Sequence, residues 1–424
     1  MWCCGCLDGP SVWEDDAGRM VTLPYRAVMA AVGDELLRGI VSENNASWLA
    51  GELFKLGWRL EAIEVLPDRE EALFDFLRRW MDKVDLIFIS GGLGSTPDDK
   101  TRSAIAHYLG APLVLCNDLF DKIVLRHPEE TRPYLENVRS TQGAVPRGAE
   151  PIFNPIGTAL GMRFRHNATT VVVLPGIPWE FRAMAEELLR QLPRGDRYSA
   201  QIVVVGWLEM DLKEKIAELI VGREESFSFL PAPNSVTLVI SGEREDVEDL
   251  ERRVRSLVGE DCLSPGVSSL PQAVIEEAVS KGFTIASAES CTGGMVGEAI
   301  TEISGSSRAF LGSAVCYSNE SKANLLGVSR EILERDGAVS APCALSMATG
   351  ARKIYKAHLA VAITGIAGPE GGSREKPVGT VWFGVSGLGE DKAVERHFSG
   401  DRQTIRRLAT TTALELFWRR LKGA

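Results

Sequence analysis

Apolar residues fall along this chain in short runs and in helical stripes, and the two alternate. Ala27 to Val32 is a short apolar run that predicts a strand ending at Gly33. Leu49, Leu53 and Leu56 then recur at i, i+4 and i+7, the spacing of a helix with one buried face. Asn45 stands where a cap is wanted, and Gly57 where the helix must stop. Asp85 to Ser90 carries a continuous apolar run, as expected of a strand buried on both faces. It leads into Gly91-Gly92-Leu93-Gly94 and a helix over about Asp99 to Leu109. Val171 to Leu174 repeats the pattern, followed by Pro175-Gly176, Pro178 in a first turn, and a stripe of Phe181, Met184, Leu188 and Leu192. Strand, loop and helix in succession predict a mostly parallel sheet covered on both faces, so residues 22–195 are expected to be a three-layer α/β domain.

From about Tyr198 to Leu263 the pattern is strand (QIVVVG), helix (DLKEKIAELI), strand (SVTLVIS), helix (EDVEDLERRVRSLVG). That predicts a small α+β domain over 196–264, with no chemistry of its own. Ser264 to Ser269 reads as a linker. Residues 268–424 form a second α/β pattern. Helix Pro271 to Ser280 leads to strand Phe283 to Ser287, and Phe310 to Tyr317 is a strand before helix Asn319 to Leu326. Helix Pro342 to Tyr355 leads to strand Leu359 to Ile363 and a glycine-rich loop. Strands Val378 to Ser386 and Val394 to Phe398 precede a last helix, Arg402 to Trp418. The first 21 residues show no pattern and are expected to be a disordered extension, with order beginning near Met20 or Thr22.

Composition narrows the function. The net charge of −11 disfavours direct nucleic-acid binding, which needs an excess of Lys and Arg. No apolar run approaches the roughly 18 residues of a membrane span, and no basic stretch followed by an apolar one marks a secretory signal. Cys116, Cys262, Cys291, Cys316 and Cys343 are scattered, which reads as reduced thiols of a cytoplasmic protein. Cys3, Cys4 and Cys6 cluster without the further ligands that a metal would need.

Three loops carry candidate chemistry. At the strand-to-helix junction Ala288 to Gly294, Ser290 is placed above a sheet edge, where ligands of open α/β sheets gather. The helix after it offers unpaired N–H groups to a phosphate or an oxyanion, and Gly293 and Gly294 allow close approach. A serine needs a base, and no histidine has an evident acid partner. Tyr317 ends a strand and Lys322 lies one turn into the next helix, so both can face the same edge; a buried lysine can lose its proton and serve as base. The alternative is a capping Ser290 with a solvated Lys322. The loop Gly365 to Gly372 can wrap a phosphate or simply join two strands. In the first domain, Gly91, Gly92 and Gly94 with Thr96 can cradle phosphate. Asp98 and Asp99, with Asp34 and Glu35 at the neighbouring strand end, can hold a divalent cation, or one aspartate can cap the helix.

Taken together these segments resemble the CinA (competence/damage-inducible protein A) family. The C-terminal match rests on AESCTGG at 288–294, SGSS at 304–307, YSNESK at 317–322, GAVS at 337–340, TGIAGPEGG at 364–372, KPVGTVWFGV at 376–385 and GDRQTIR at 400–406. The N-terminal match rests on GDELLRG at 33–39, GGLGSTPDDKTR at 91–102, FNPIGTALG at 153–161 and LPGIPWEF at 174–181. The resemblance implies a nicotinamide-nucleotide amidase in the C-terminal domain: Ser290 as nucleophile supported by Tyr317 and Lys322, and nucleotide contacts from Thr292, Gly293, Gly294, Gly365, Gly368, Gly371, Gly372 and Arg402 or Arg406. It implies nicotinamide mononucleotide as substrate, with no cofactor. For the N-terminal molybdopterin-binding-like domain it implies ADP-ribose hydrolysis with a divalent metal such as Mg2+. A homodimer is expected. Five positions depart from the family pattern: Ser313 follows Gly312 in place of a second glycine, Ala341-Pro342 replaces an acidic pair, and Ser95 and Leu160 replace prolines. Two rival readings are a molybdopterin- or nucleotide-binding module with a non-catalytic C-terminal domain, and an accessory factor for competence. The Ser290, Tyr317 and Lys322 set, which a binding module has no need to keep, weighs against the first.

Overall fold

A computed structural model describes residues 25–195 and 197–424, together with the backbone of two short strands, Val12–Glu14 and Met20–Thr22, which pair antiparallel. The expected disordered extension therefore contains a paired segment. Cys3, Cys4 and Cys6 lie outside the described residues. The chain divides into two compact units, one up to Ser199 and one from Ala200 onwards, with Gly242–Arg244 going to the first.

The first unit is the predicted three-layer α/β domain. Its six-stranded sheet runs in the order Arg59–Leu66, Arg26–Val32, Leu86–Ser90, Thr169–Leu174, Gly161–His166, Glu150–Ile152; the first four are parallel and the last two antiparallel. Alternate residues of each central strand feed different cores, as a pleat requires. Val28 and Ala30, with Ile87, Ile89, Val171 and Val173, meet Leu73, Phe76, Leu77 and Ile105 on one face. Ala27 and Met29, with Phe88 and Val172, meet Leu49, Leu53, Phe181 and Met184 on the other. The helix Asn45–Lys55 lies on that second face, and Asn45 does not cap it. Its side chain is buried and donates to Ser90 Oγ (3.0 Å) and the Gly176 carbonyl (2.8 Å). Glu43 takes the capping role, accepting from the N–H of Asn45 and Ala46.

The second unit holds two sheets. The smaller has the order Tyr198–Val205, Ser235–Gly242, Phe227–Ala232. The larger runs Phe310–Val315, Ile285–Glu289, Leu359–Gly365, Thr380–Ser386, Lys392–His397, three parallel strands and then two antiparallel ones. One face packs large residues, among them Ile363, Val381 and Phe383, against Val274, Ile405 and Phe417. The other is lined by Ala288, Ala360 and Ala362, which let the helix Ala341–Tyr355 approach closely. A Cβ on Gly384 would stand 2.0 Å from the Ala344 carbonyl oxygen, so the glycine is needed there. Val203, Val205, Leu263 and Val267 belong to the same core as the C-terminal helix Arg402–Lys422. The segment that the sequence pattern marks as a separate small domain thus has its own sheet but shares a hydrophobic core with the larger one. Among the described residues no helix is long and apolar enough to cross a membrane.

Candidate active site

In the second unit the strand Ile285–Glu289 ends where Ser290 turns the chain, its N–H held by the Ile363 carbonyl on the adjacent strand. Strand Phe310–Val315 lies on the other side and leads into helix Asn319–Leu326, whose start is fixed by Ser318 and Ser321 bonding reciprocally in a capping box. Helical side chains lean back toward the N-terminus. Lys322, near the start of that helix, therefore reaches back under it. Its Nζ donates to Ser290 Oγ at 3.0 Å, to the Cys316 carbonyl at 3.1 Å and to the Tyr317 carbonyl at 3.2 Å. Lys322 is only 2% exposed, and no carboxylate among the described residues pairs with it. Burial drives its pKa below the usual lysine range; the nearby Cys343, Cys316, Cys291 and Tyr317 work in the opposite direction. In its deprotonated form, an amine so placed can accept the proton of Ser290.

The thiols around it are poor competitors as nucleophiles. Burial pushes Cys291 and Cys343 up to about 11, so both are neutral near pH 7.

Tyr317 is exposed, and its hydroxyl accepts from Arg402 Nη2 at 3.0 Å. The other arm of that guanidinium donates to the Gly368 carbonyl at 2.7 Å. Arg402 thereby ties the glycine-rich loop to the tyrosine. Arg406, one turn on, donates to the carbonyls of Cys291 (3.1 Å) and Thr292 (2.7 Å) and so clamps the turn after Ser290. The loop from Gly365 through Gly368, Gly371 and Gly372 joins two antiparallel strands, Leu359–Gly365 and Thr380–Ser386, as a long hairpin connection. Thr292 is fully buried, with its hydroxyl unpartnered among the described residues. The fold thus brings Ser290, Lys322, Tyr317, Thr292, Gly368, Arg402 and Arg406 into one connected neighbourhood.

One expectation fails here. The helix after Ser290, Met295–Thr301, has few N–H groups to offer a ligand, because those of Gly294, Val296 and Gly297 are already engaged. Glu289, fully buried one residue before Ser290, accepts from Gly294 N–H (2.9 Å), Val296 N–H (3.1 Å), Gly297 N–H (2.9 Å) and Ser313 Oγ (2.8 Å). Its carboxylate sits at the positive end of the helix. Gly294, at φ 104°, makes the left-handed turn that aims these amides at it. Sequence reasoning misses Glu289 because an acidic residue at a strand end looks solvated. Ser313, a departure from the family pattern, supplies the fourth donor.

In the first unit a cleft of about 490 Å3 opens at the ends of strands Arg26–Val32, Leu86–Ser90 and Thr169–Leu174. Gly91, Gly92, Gly94, Asp98, Asp99 and Glu35 line it. Gly91 is required by the chain's own packing, since a Cβ there would meet the Val32 carbonyl; one on Gly92 would meet the Thr101 hydroxyl and one on Gly94 the Asp99 carboxylate, both side-chain atoms. Asp99 Oδ2 accepts from the Thr96 N–H at 2.9 Å and from its hydroxyl, closing the loop on itself. Asp34 donates its N–H to Asp68 at 2.7 Å. Asp68, which sequence reasoning misses, has its pKa raised by burial and by the adjoining Glu35, Asp34 and Asp98, with the bond from Asp34 opposing. Glu180, also missed, is buried against Asn154 (2.7 Å), and desolvation raises its pKa. Among the described residues no three His, Cys, Asp or Glu side chains form a ready metal cage.

Comparison with known proteins gives two family models, the CinA C-terminal domain over residues 267–421 and the probable molybdopterin binding domain over 28–194. A CinA-like protein of Salinibacter ruber is 36% identical over 405 residues, 92% of this chain and 98% of that one. A CinA-like protein of Fervidobacterium nodosum is 34% identical over 400 residues, 93% of this chain and 98% of that one. The crystal structure of the competence/damage inducible protein CihA from Agrobacterium tumefaciens is 42% identical, covering 36% of this chain and 93% of that chain, with a TM-score of 0.35.

Proposed function

The chain belongs to the CinA family, and on that premise we propose that its second unit is an amidohydrolase that converts nicotinamide mononucleotide to nicotinic acid mononucleotide and ammonia. The observation that carries the reading is the 3.0 Å approach of a buried, unpaired lysine amine to Ser290 Oγ. A binding module gains nothing from burying an amine without a counter-ion, which costs several kcal/mol in low dielectric. A serine nucleophile gains its base.

In this mechanism Ser290 Oγ attacks the carboxamide carbon while Lys322, in its deprotonated form, which burial favours, takes the hydroxyl proton. Because Glu289 occupies the helix amides, the developing oxyanion is received by the N–H groups of Cys291 and Thr292 in the turn itself, which Arg406 holds through their carbonyls. Lys322 then delivers the proton to the leaving nitrogen. Ammonia departs, and water attacks the acyl-enzyme with Lys322 again as base. Arg402 and the loop around Gly368 grip the ribose phosphate and set the ring over Ser290. No cofactor is needed. Incubating the full chain with nicotinamide mononucleotide and measuring ammonia tests this; no release by the wild type, under conditions where the protein is folded, sinks it.

For the first unit the cleft supports hydrolysis of ADP-ribose at its pyrophosphate, giving AMP and ribose 5-phosphate. Glu35, Asp68 and Asp98, which line the cleft, would hold a divalent cation in place of a preformed cage, while Asp34 does not line it and pairs with Arg38 at 3.2 Å. Such a cation offsets phosphate charge and activates water. The test is AMP release with and without excess chelator; unchanged hydrolysis in chelator removes the metal.

A further inference from the structure

In the second unit, three consecutive carbonyls between the helices Arg330–Arg335 and Ala341–Tyr355 each receive a side-chain donor. Lys376 Nζ donates to the Asp336 carbonyl at 2.7 Å, Ser340 Oγ to that of Gly337 at 2.8 Å, and Thr364 Oγ1 to that of Ala338 at 2.7 Å. Thr364 is buried near the end of the strand Leu359–Gly365, next to Ile363, whose carbonyl holds the Ser290 N–H at 3.0 Å. Ser340 also caps the helix that follows it. Residues 336–340 are thereby fixed to the strand ends beside Ser290.

Lys376 reaches this stretch from the glycine-rich connection between the strands Leu359–Gly365 and Thr380–Ser386. That loop is closed at its base, where Ile366 N–H meets the Thr380 carbonyl at 2.9 Å and Gly379 N–H the Ile366 carbonyl at 2.8 Å. Val378 packs against Gly368 and Gly372, in the space that a Cβ on either would need. Further out, Ser373 N–H donates to the Lys376 carbonyl (2.9 Å) and Lys376 N–H to Ser373 Oγ (3.0 Å), while Gly371 to Glu375 are exposed. Arg402 fastens one limb of the loop at the Gly368 carbonyl, and Lys376 fastens the other. The Lys376 side chain is committed to that carbonyl. Among the described residues no carboxylate pairs with its ammonium, and the Asp336 carboxylate goes to Arg335 at 2.9 Å.

We propose that Lys376 is a positioning residue of the amidase site, latching the loop over 366–379 to residues 336–340 and so fixing where that loop meets the substrate relative to Ser290. The inference rests on the reading of the second unit as an amidase acting on a nucleotide. An exposed glycine-rich loop pays ordering entropy when it closes on a ligand, and a loop tied beforehand pays less. That saving appears in affinity. Lys376 bonds to neither Ser290 nor Lys322, so the chemical step proceeds without it.

The test compares the full chain with Lys376→Met and Lys376→Arg, each checked for an unchanged melting curve. The first measurement is limited trypsin digestion. The Lys376–Pro377 bond resists trypsin, so cleavage in the loop falls after the exposed Arg374. Lys376→Met is expected to be cut there several-fold faster, with rates referred to the denatured chains. The second measurement is ammonia release. KM for nicotinamide mononucleotide is expected to rise about tenfold in Lys376→Met with kcat nearly unchanged, and Lys376→Arg, which keeps a donor for the carbonyl, to recover most of it. A raised KM with unchanged cleavage would make Lys376 a direct substrate contact and overturn the latch. Faster cleavage with unchanged KM, or a fall confined to kcat, would overturn the positioning role. No ammonia release by the wild type sinks the amidase reading; the latch is then judged on cleavage alone, and equal cleavage of all three chains removes it too.

Discussion

Lys322 Nζ lies 3.0 Å from Ser290 Oγ although 32 residues separate the two in sequence. Parallel pairing of Ile285–Glu289 with Phe310–Val315 puts the two strand ends side by side, and the capping box at Ser318 starts the next helix in time for Lys322 to reach back. The contact is a product of topology. Its consequences can be measured.

Ser290→Ala and Lys322→Ala are each expected to lower ammonia release from nicotinamide mononucleotide by at least about 10³-fold. Members of one catalytic unit fail together, so the double variant should fall little below the worse single one. Steady-state assays on variants with unchanged circular dichroism check this. Near wild-type turnover in either would remove that residue from the pair.

The lysine predicts the pH dependence. Because burial lowers its folded pKa, the neutral base is present at a lower pH than for a free lysine, whose ordinary value is 10.5. kcat/KM should rise with pH and level off once the lowered pKa is passed. Stability moves with a definite sign. Between the lowered folded pKa and 10.5 the unfolded chain binds more protons at this site, so stability rises with pH across that window. Lys322→Met should lack this increment. Urea midpoints of the two proteins across the range decide it, and parallel curves would contradict the burial argument.

Glu289→Gln replaces a carboxylate oxygen with an N–H2 that faces amide donors. A loss of about 1–3 kcal/mol in unfolding free energy is expected. With the turn loosened, kcat should fall while KM moves little. Ser313→Gly removes a single donor and should cost about 1 kcal/mol. Denaturant titrations and steady-state kinetics measure both, and an unshifted midpoint in Glu289→Gln would deny the carboxylate its structural role.

Arg402→Gln cuts the tie between Tyr317 and Gly368. If that arginine also meets the ribose phosphate, KM for nicotinamide mononucleotide should rise several-fold, while the weaker use expected of nicotinamide riboside changes little. An equal change for both substrates would assign Arg402 to loop architecture alone.

A fragment from Tyr198 to the C-terminus should melt at a higher temperature than one beginning near Leu270. The shorter piece uncovers the core that Val203, Val205, Leu263 and Val267 help to close. It also loses Arg419 to Asp261 (2.8 Å), Asn234 to Glu415 (2.5 Å) and Lys422 to the Glu260 carbonyl (2.6 Å). Each buried valine side chain removed contributes roughly 1.5–3 kcal/mol. Equal melting temperatures would show that the second unit closes without the small sheet.

The strands at the centre of each sheet were legible because burial on both faces leaves a continuous apolar run, as in Leu86–Ser90 and Leu359–Gly365. What the sequence hid was half-buried or charged. Arg59–Leu66 is an edge strand, mostly half-buried, whose glutamates mask its alternation. The helices Asn117–Arg126 and Arg132–Gln142 bury narrow stripes among many charged residues. At the candidate site the reacting groups were readable as residue types at strand ends. Their supports were not, since nothing local distinguishes Glu289 or Glu43 from a solvated acid until the fold turns helix amides toward it. The same blindness produced the misplaced cap at Asn45.

Glu43 and Glu289 have a joint effect in solution. Each unit meets its surroundings with the electropositive mouth of a site helix already stoppered by a tethered anion. Free inorganic phosphate and sulfate, which crowd into such mouths elsewhere, should find no seat at either helix end. A phosphate that is to be held must therefore find its partners away from the helix ends, in side chains such as Arg402.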